Sequence, residues 1–254
     1  FFRVHLFQGG NSSLCFVPLV LILRRARLLP KMSSQWASIW DDIISGGAPR
    51  WKAVDAKGIH LALQHLTEHL PSKTARILCP LAGDDPFVHH AWSSGHDVTA
   101  IDLVPAALAR MRDQFGSDWS REDRADGTVV WVHGSGRATL YQGDLFNSQP
   151  EMRGSFDAVY DKDSFGALDK HMRTNLCRIV ADYTKSGAVV YIEVKEKADD
   201  HPQRDVGPPF SVHKEDLMEH SSFGEMFEYV AGLGEVYSIG MPKATQTGHV
   251  LKRK

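Results

Sequence analysis

Arg76-Ile-Leu-Cys-Pro-Leu81 is a short apolar run that leads straight into Ala-Gly-Asp-Asp-Pro86, and a second such run, Asp97-Val-Thr-Ala-Ile101, follows within one helix length. A buried strand that turns sharply into a helix and returns as a neighbouring strand is a βαβ unit, which requires a parallel sheet covered on both faces. The rest of the chain keeps that rhythm. Helix-like patterning covers Ile59 to Leu70, Pro86 to Ser94, Pro105 to Phe115 and Lys170 to Tyr183, with Pro105 suited to a first helical turn. Strands are expected at Ala138 to Gln142, Ser155 to Tyr160 and Gly187 to Glu193, with Gly187 as the helix-to-strand turn, and a polar loop at Ser117 to Gly127. After a loop from Lys195 to Ser211 come a short helix, Lys214 to Ser221, and an antiparallel pair at Phe227 to Val230 and Gly248 to Lys252. The expected fold is α/β, a Rossmann-like doubly wound seven-stranded and mostly parallel sheet with an antiparallel C-terminal strand pair.

The first 31 residues follow other rules. No Asp or Glu precedes Asp41, while Arg3, Arg24, Arg25, Arg27 and Lys31 surround an apolar stretch, Leu14 to Leu23, broken by Pro18. That stretch is too short to span a bilayer. Residues 1–31 read either as a leader or organelle presequence or as an untranslated extension before Met32. Residues 33–254 form one expected domain.

With 254 residues, 43% of them hydrophobic, the chain can bury a full core. Its net charge of −2 and lack of a basic stripe argue against nucleic acid. Cys15, Cys79 and Cys177 are scattered without pair spacing, which suits neither a disulfide framework nor a metal site. The expected partner is a small molecule, with no membrane and no metal, and the expected state a monomer in the cytoplasm, or in an organelle if the leader is a presequence.

Ligands of open α/β sheets bind outside strand carboxyl ends, so the strand ends carry the functional reading. A dinucleotide turn needs several glycines to bring backbone N–H groups to a pyrophosphate; here Gly83 stands alone. One glycine suits a ligand without phosphates, such as S-adenosylmethionine, or is simply a turn. Asp102 lies 19 residues beyond Gly83 at the end of the second strand, where an acid accepts ribose hydroxyls or else caps the next helix. In Gly143-Asp-Leu-Phe146, Asp144 and Leu145 suit an adenine amine and ring, with an Asx turn as the structural alternative. Tyr160-Asp-Lys-Asp163 puts three charges where a buried strand ends: Asp161 for an ammonium, Lys162 for a carboxylate or an anionic substrate, or all three for solvent.

Four stretches, Ile77-Leu-Cys-Pro-Leu-Ala-Gly83, Leu140-Tyr-Gln-Gly-Asp-Leu-Phe146, Tyr160-Asp-Lys162 and Gly207-Pro-Pro-Phe210, occur in the order seen in thiopurine S-methyltransferases. Together with the tryptophans Trp36, Trp40 and Trp51, they make residues 33 to 254 resemble that family. The resemblance implies S-adenosylmethionine as cofactor. It implies that Trp36 and Trp40 close over it, that Leu81 meets its methionine part beside Gly83, that Asp102 takes the ribose, and that Asp144 and Leu145 meet the adenine. It further implies Lys162 near the sulfonium and the acceptor and Trp51 at the substrate pocket; Asp161 stands beside Lys162 as a candidate from the residues, and Pro209 and Phe210 lie in the Lys195 to Ser211 loop expected on the substrate side. Two departures stand out: Asp102 replaces a frequent glutamate, and Lys162 a common arginine whose planar bidentate contact an ammonium does not reproduce. The implied activity is methyl transfer to a small thiol or similar soft nucleophile. A halide-accepting variant, a non-catalytic cofactor-binding protein and a nucleotide-cofactor oxidoreductase are the alternatives, the last disfavoured by the missing glycines.

Overall fold

Ile77, Leu78 and Cys79 are all essentially inaccessible, yet they serve two different cores. Successive strand side chains point to opposite faces; Ile77 and Cys79 join one apolar cluster and Leu78 the other. This double burial is what the unbroken apolar run predicts. The computed structural model describes residues 31–47 and 55–254.

A nine-stranded sheet has the order β3-β4-β5-β2-β1-β6-β7-β9-β8. Its parallel centre is β5 (Ala138–Gln142), β2 (Asp97–Asp102), β1 (Arg76–Pro80), β6 (Phe156–Lys162) and β7 (Thr184–Lys197). Helices α2 (Ala56–Glu68), α3 (Phe87–Ser93) and α4 (Pro105–Phe115) cover one face through Leu63, Leu66, Phe87, Val88, Leu108 and Met111. On the other face α6 (Lys170–Tyr183) supplies Leu176, Cys177 and Val180. The sequence-predicted helix spanning Ile59 to Leu70 thus covers a sheet face. A further helix, α1 (Lys31–Ile44), docks Ile39, Trp40 and Ile43 on Val104 and Ala107 at the start of α4.

The expected seven strands are present, and two more extend the sheet. The segment read as a polar loop holds β3 (Trp119–Asp123), which pairs with β4 (Val129–His133) as an antiparallel hairpin on β5. Exposed Ser120, Arg121, Glu122 and Asp123 concealed the strand, since an edge strand with charged residues has no apolar run to reveal it. A signal existed: Asp126-Gly127 before Thr-Val-Val-Trp131 is a hairpin turn pattern, and Gly127 has φ +90° while Asp126 accepts the Thr128 N–H at 2.9 Å. Packing of the Arg112 guanidinium on Trp131, 3.5 Å from the ring centre, fastens the hairpin to α4.

Strand ends also differ from expectation. Strand β6 continues through Lys162, so Asp161 and Lys162 belong to the sheet, not to the loop after it. Gly187 (φ +78°) lies inside β7, which runs on to Lys197. The C-terminal pair is longer, β8 (Phe227–Tyr237) against β9 (Ala244–Arg253), whereas the helix expected to reach Ser221 is α7 (Lys214–Leu217). Among the described residues no helix is long and apolar enough to cross a membrane; residues 1–30 and Trp51 lie outside those described.

Strand order reverses between β1 and β6, because the chain proceeds outward from β1 to β2 and β5 and returns on the other side. That switch point opens a crevice at the carboxyl ends of β1, β2 and β6. Local capping holds the flanking helix in register: the Asp169 side chain accepts the Met172 N–H at 2.9 Å at the start of α6. Asp169→Ala should lower stability by about 1 kcal/mol, seen as a lower urea midpoint with an unchanged slope.

Candidate functional site

The turn after β1 is a left-handed bend. Leu81 has φ +45° and Gly83 φ +56°. A Cβ at Gly83 would meet the Trp40 ring at 3.2 Å, so α1 lays an indole over a backbone that has no room for a side chain. From beneath, Asp102 Oδ2 accepts the Gly83 N–H at 2.8 Å, and Oδ1 accepts the Val104 N–H, also at 2.8 Å. The Asp102 carboxyl is 8% exposed, and burial raises its pKa while these N–H donors act against the rise. Val104 and not Asp102 is the N-cap of α4. Trp36 packs half-buried beside Trp40, and Leu81 against the α6 side of the core.

Asp144 reaches the same rim because the Gly143 N–H donates to the Asp102 carbonyl at 2.9 Å. Its own Oδ1 accepts the Phe146 N–H at 2.9 Å, the Asx turn that the sequence permits. Leu145 is 1% exposed and sits within the core below that rim.

At the end of β6 the charged triplet splits three ways. Asp161 points inward: Oδ1 accepts the Ser164 N–H at 2.9 Å, while Oδ2 is buried with no hydrogen-bond partner. Burial lifts its pKa to about 7. Lys162, one residue on, places its ammonium 3.4 Å from Asp85 in the β1–α3 turn. Burial alone would lower the Lys162 pKa, but Asp85, Asp163 and Glu193 outweigh it and the value is raised. Asp163, at φ +62°, accepts a hydrogen bond from Gln246 at 3.0 Å.

Glu193 was not among the sequence candidates. It stands beside Lys162 in the parallel register and is 1% exposed. Tyr191 donates to its Oε1 at 2.8 Å and Tyr237, from β8, to its Oε2 at 3.0 Å. Burial raises the pKa of Glu193 to about 7. A single carboxylate within the apolar run Ala188-Val-Val-Tyr-Ile-Glu-Val194 was the visible signal, since a buried acid needs partners.

The Gly207 to Phe210 loop is fastened to this end of the sheet. The Phe210 N–H donates to the Gly166 carbonyl at 2.8 Å, and the Lys197 ammonium donates to the carbonyls of Gln203, Val206 and Pro209. Gly207-Pro208 and Pro208-Pro209 are both cis. Behind Phe210 lies a cleft of about 400 Å³, lined among others by Asp169, Arg173, Arg204, His213 and Asp216. His213 pairs with Glu196 at 3.0 Å, and His201 Nδ1 accepts the Gln203 N–H at 3.0 Å.

These groups suit S-adenosylmethionine. The Gly83 cradle beneath Trp40 has a width that one Cβ would remove, Asp102 retains lone pairs for hydroxyl donors, and Asp161 Oδ2 is a buried acceptor lacking the donor that an ammonium provides. The turn after β1 has Gly83 alone and so offers no run of glycine N–H groups for a pyrophosphate.

Asp161 and Glu193 carry a pH consequence. Both have folded pKa values above those of unfolded carboxyls, so each stabilises the fold fully below the unfolded value, and that contribution is lost as pH rises towards about 7. Thermal melts should therefore show falling stability between about pH 4 and 7, and Asp161→Asn, which is not ionisable, should flatten part of that slope.

The profile of the thiopurine S-methyltransferase family matches residues 34–241. A thiopurine S-methyltransferase of Acinetobacter baylyi is 25% identical over 148 residues, 58% of this chain and 66% of the relative; the chain thus spans about two thirds of that protein. A probable thiopurine S-methyltransferase of Danio rerio is 20% identical over 87% of this chain and 94% of its own length. Among solved structures, the 1,6-didemethyltoxoflavin-N1-methyltransferase of Burkholderia thailandensis, with S-adenosylhomocysteine and 1,6-didemethyltoxoflavin bound, superposes with a TM-score of 0.59 at 16% identity, covering 88% of this chain and 87% of the other. With its strand-end motifs arranged around one crevice of this fold, the chain belongs to the thiopurine S-methyltransferase family.

Proposed function

We propose that the protein transfers a methyl group from S-adenosylmethionine to a small thiol or similar soft nucleophile. The observation that carries this reading is the convergence of the Gly83 turn, Asp102 and the Asp161–Lys162 strand end on one switch-point crevice. The bound cofactor supplies a methyl already activated on a sulfonium. What remains for the protein is to hold two reactants close and in line.

Trp36 and Trp40 shield the cofactor from above, and Leu81 with Gly83 forms the bend its methionine part rests on. Asp102 accepts the ribose hydroxyls with lone pairs left over from its two backbone bonds. Asp144 takes the adenine amine, with Leu145 supporting the rim from within the core. Asp161 Oδ2 accepts the methionine ammonium, whose charge draws the carboxyl towards its ionised form. Lys162, clamped by Asp85, sets the distance between the β1 turn and the acceptor. Pro209 and Phe210 wall the acceptor side through their bonds to β7 and to the short helix α5 (Ser164–Ala167).

Transfer of labelled methyl to a panel of thiols, halides and amines tests the reaction. Turnover is expected on thiols; tight cofactor binding without turnover on any acceptor would make the chain a binding protein instead. Asp102→Ala should weaken S-adenosylmethionine binding by roughly 1–3 kcal/mol in calorimetry, and an unchanged affinity would remove Asp102 from the ribose. Lys162→Ala should reduce kcat more than cofactor affinity.

A further inference from the structure

One ammonium at the acceptor end of the crevice is surrounded by three carboxylates. Asp85 lies 3.4 Å from Lys162, and Asp163 and Glu193 act on it as well. An excess of negative charge disfavours a thiolate, so a weakly acidic thiol reaches this site with its proton and must lose it there. Glu193 is the one carboxylate of the group held by two phenols, and it is itself shut off from solvent. Of those phenols Tyr191 is 1% exposed, whereas Tyr237 is only partly buried. Tyr237 also feels the charges of Asp163 and Asp85, so it belongs to the same cluster at the end of the crevice.

We propose that the Tyr237 hydroxyl takes the acceptor's proton and relays its own to Glu193, so that the enzyme methylates neutral thiols. The proposal rests on the methyl-transfer reading above. A lone pair of the acceptor sulfur forms the new bond to the methyl carbon as the methyl–sulfonium bond breaks and its electron pair returns to the donor sulfur. The S–H proton passes to the Tyr237 oxygen while the Tyr237 proton passes to Glu193 Oε2. The balance is a methyl thioether, S-adenosylhomocysteine and a protonated Glu193, which gives its proton to water when the products leave. Tyr237 is the group that touches the acceptor; Glu193 acts through it.

The surroundings of Glu193 agree with a proton-accepting role. On its own strand Tyr191 donates to it, and His65 of α2 stacks on that ring with 6.2 Å between centres. Strand β6 contributes Lys162 and Tyr160, the turn after it Asp163, and the β1–α3 turn Asp85. Strand β9 places Gly248 opposite Glu193 and supplies the uncharged Gln246 to Asp163. Lys162 is the single cation among these groups, and Asp85 engages it directly.

Two thiols of different acidity separate the relay from a packing role. On the weakly acidic 2-mercaptoethanol, Tyr237→Phe should lower kcat by about 100-fold. On thiophenol, which ionises without help, the loss should stay below about threefold. Glu193→Gln should remove the near-neutral rise of the 2-mercaptoethanol pH–rate profile, with cofactor affinity retained. Equal losses on both thiols, or an unchanged profile, would overturn the relay. Infrared spectroscopy of the cofactor-free Asp161→Asn protein, in which the other carboxyl raised to about 7 is removed, gives a readout independent of turnover: a carboxylic-acid C=O band titrating near pH 7, absent when Glu193→Gln is added and displaced when Tyr237→Phe is added. If no thiol is methylated, the thiol reading fails by itself; if that band does not titrate, the relay fails whatever the acceptor.

Discussion

The Gly83 N–H bond to Asp102 Oδ2, at 2.8 Å, joins the carboxyl ends of two neighbouring parallel strands. Much else depends on it. It holds Gly83 in the left-handed conformation that brings the turn against Trp40, and through the second Asp102 oxygen it sets the start of α4. Because Val104 and Ala107 of that helix carry Ile39, Trp40 and Ile43, the position of α1 over the crevice follows from the same carboxylate. A buried acid with two backbone donors is satisfied at both oxygens and leaves lone pairs for a ligand.

A second constraint is the charge at the ends of β6 and β7. Three carboxylates and one ammonium are confined where water is scarce, so their ionisation is coupled to their neighbours rather than to the solvent. Asp161 and Glu193 carry raised pKa values for one main reason, burial, yet they differ in company: Asp161 has one unpartnered oxygen, and Glu193 is held by two tyrosines. In the reading proposed above the first meets the cofactor's ammonium and the second holds a proton. Lys162 suits this setting, since a compact ammonium fits among Asp85, Asp163 and Glu193 without needing a bidentate partner.

Most of the sheet was legible because its strands are buried on both faces, which writes them as continuous apolar runs, and because Pro105 marks a helix start. The β3–β4 hairpin was not, because an exposed edge strand satisfies only one face and Ser120 to Asp123 carry polar side chains. Asp102, Asp144, Asp161 and Lys162 were legible as polar groups at strand ends, where the fold class alone says that ligands bind.

Sequence by itself determined that this chain builds a doubly wound parallel sheet and which polar residues stand at its carboxyl ends, because strand and helix periodicity and the punctuation between them are local properties. It also carried the motif order that identifies the family. Only the tertiary structure decided what those residues do to one another. That Lys162 is enclosed by acids from two other elements, and that Tyr237, 44 residues after Glu193, donates to it, depends on strand register and long-range contact. No periodicity encodes a meeting between side chains so far apart along the chain.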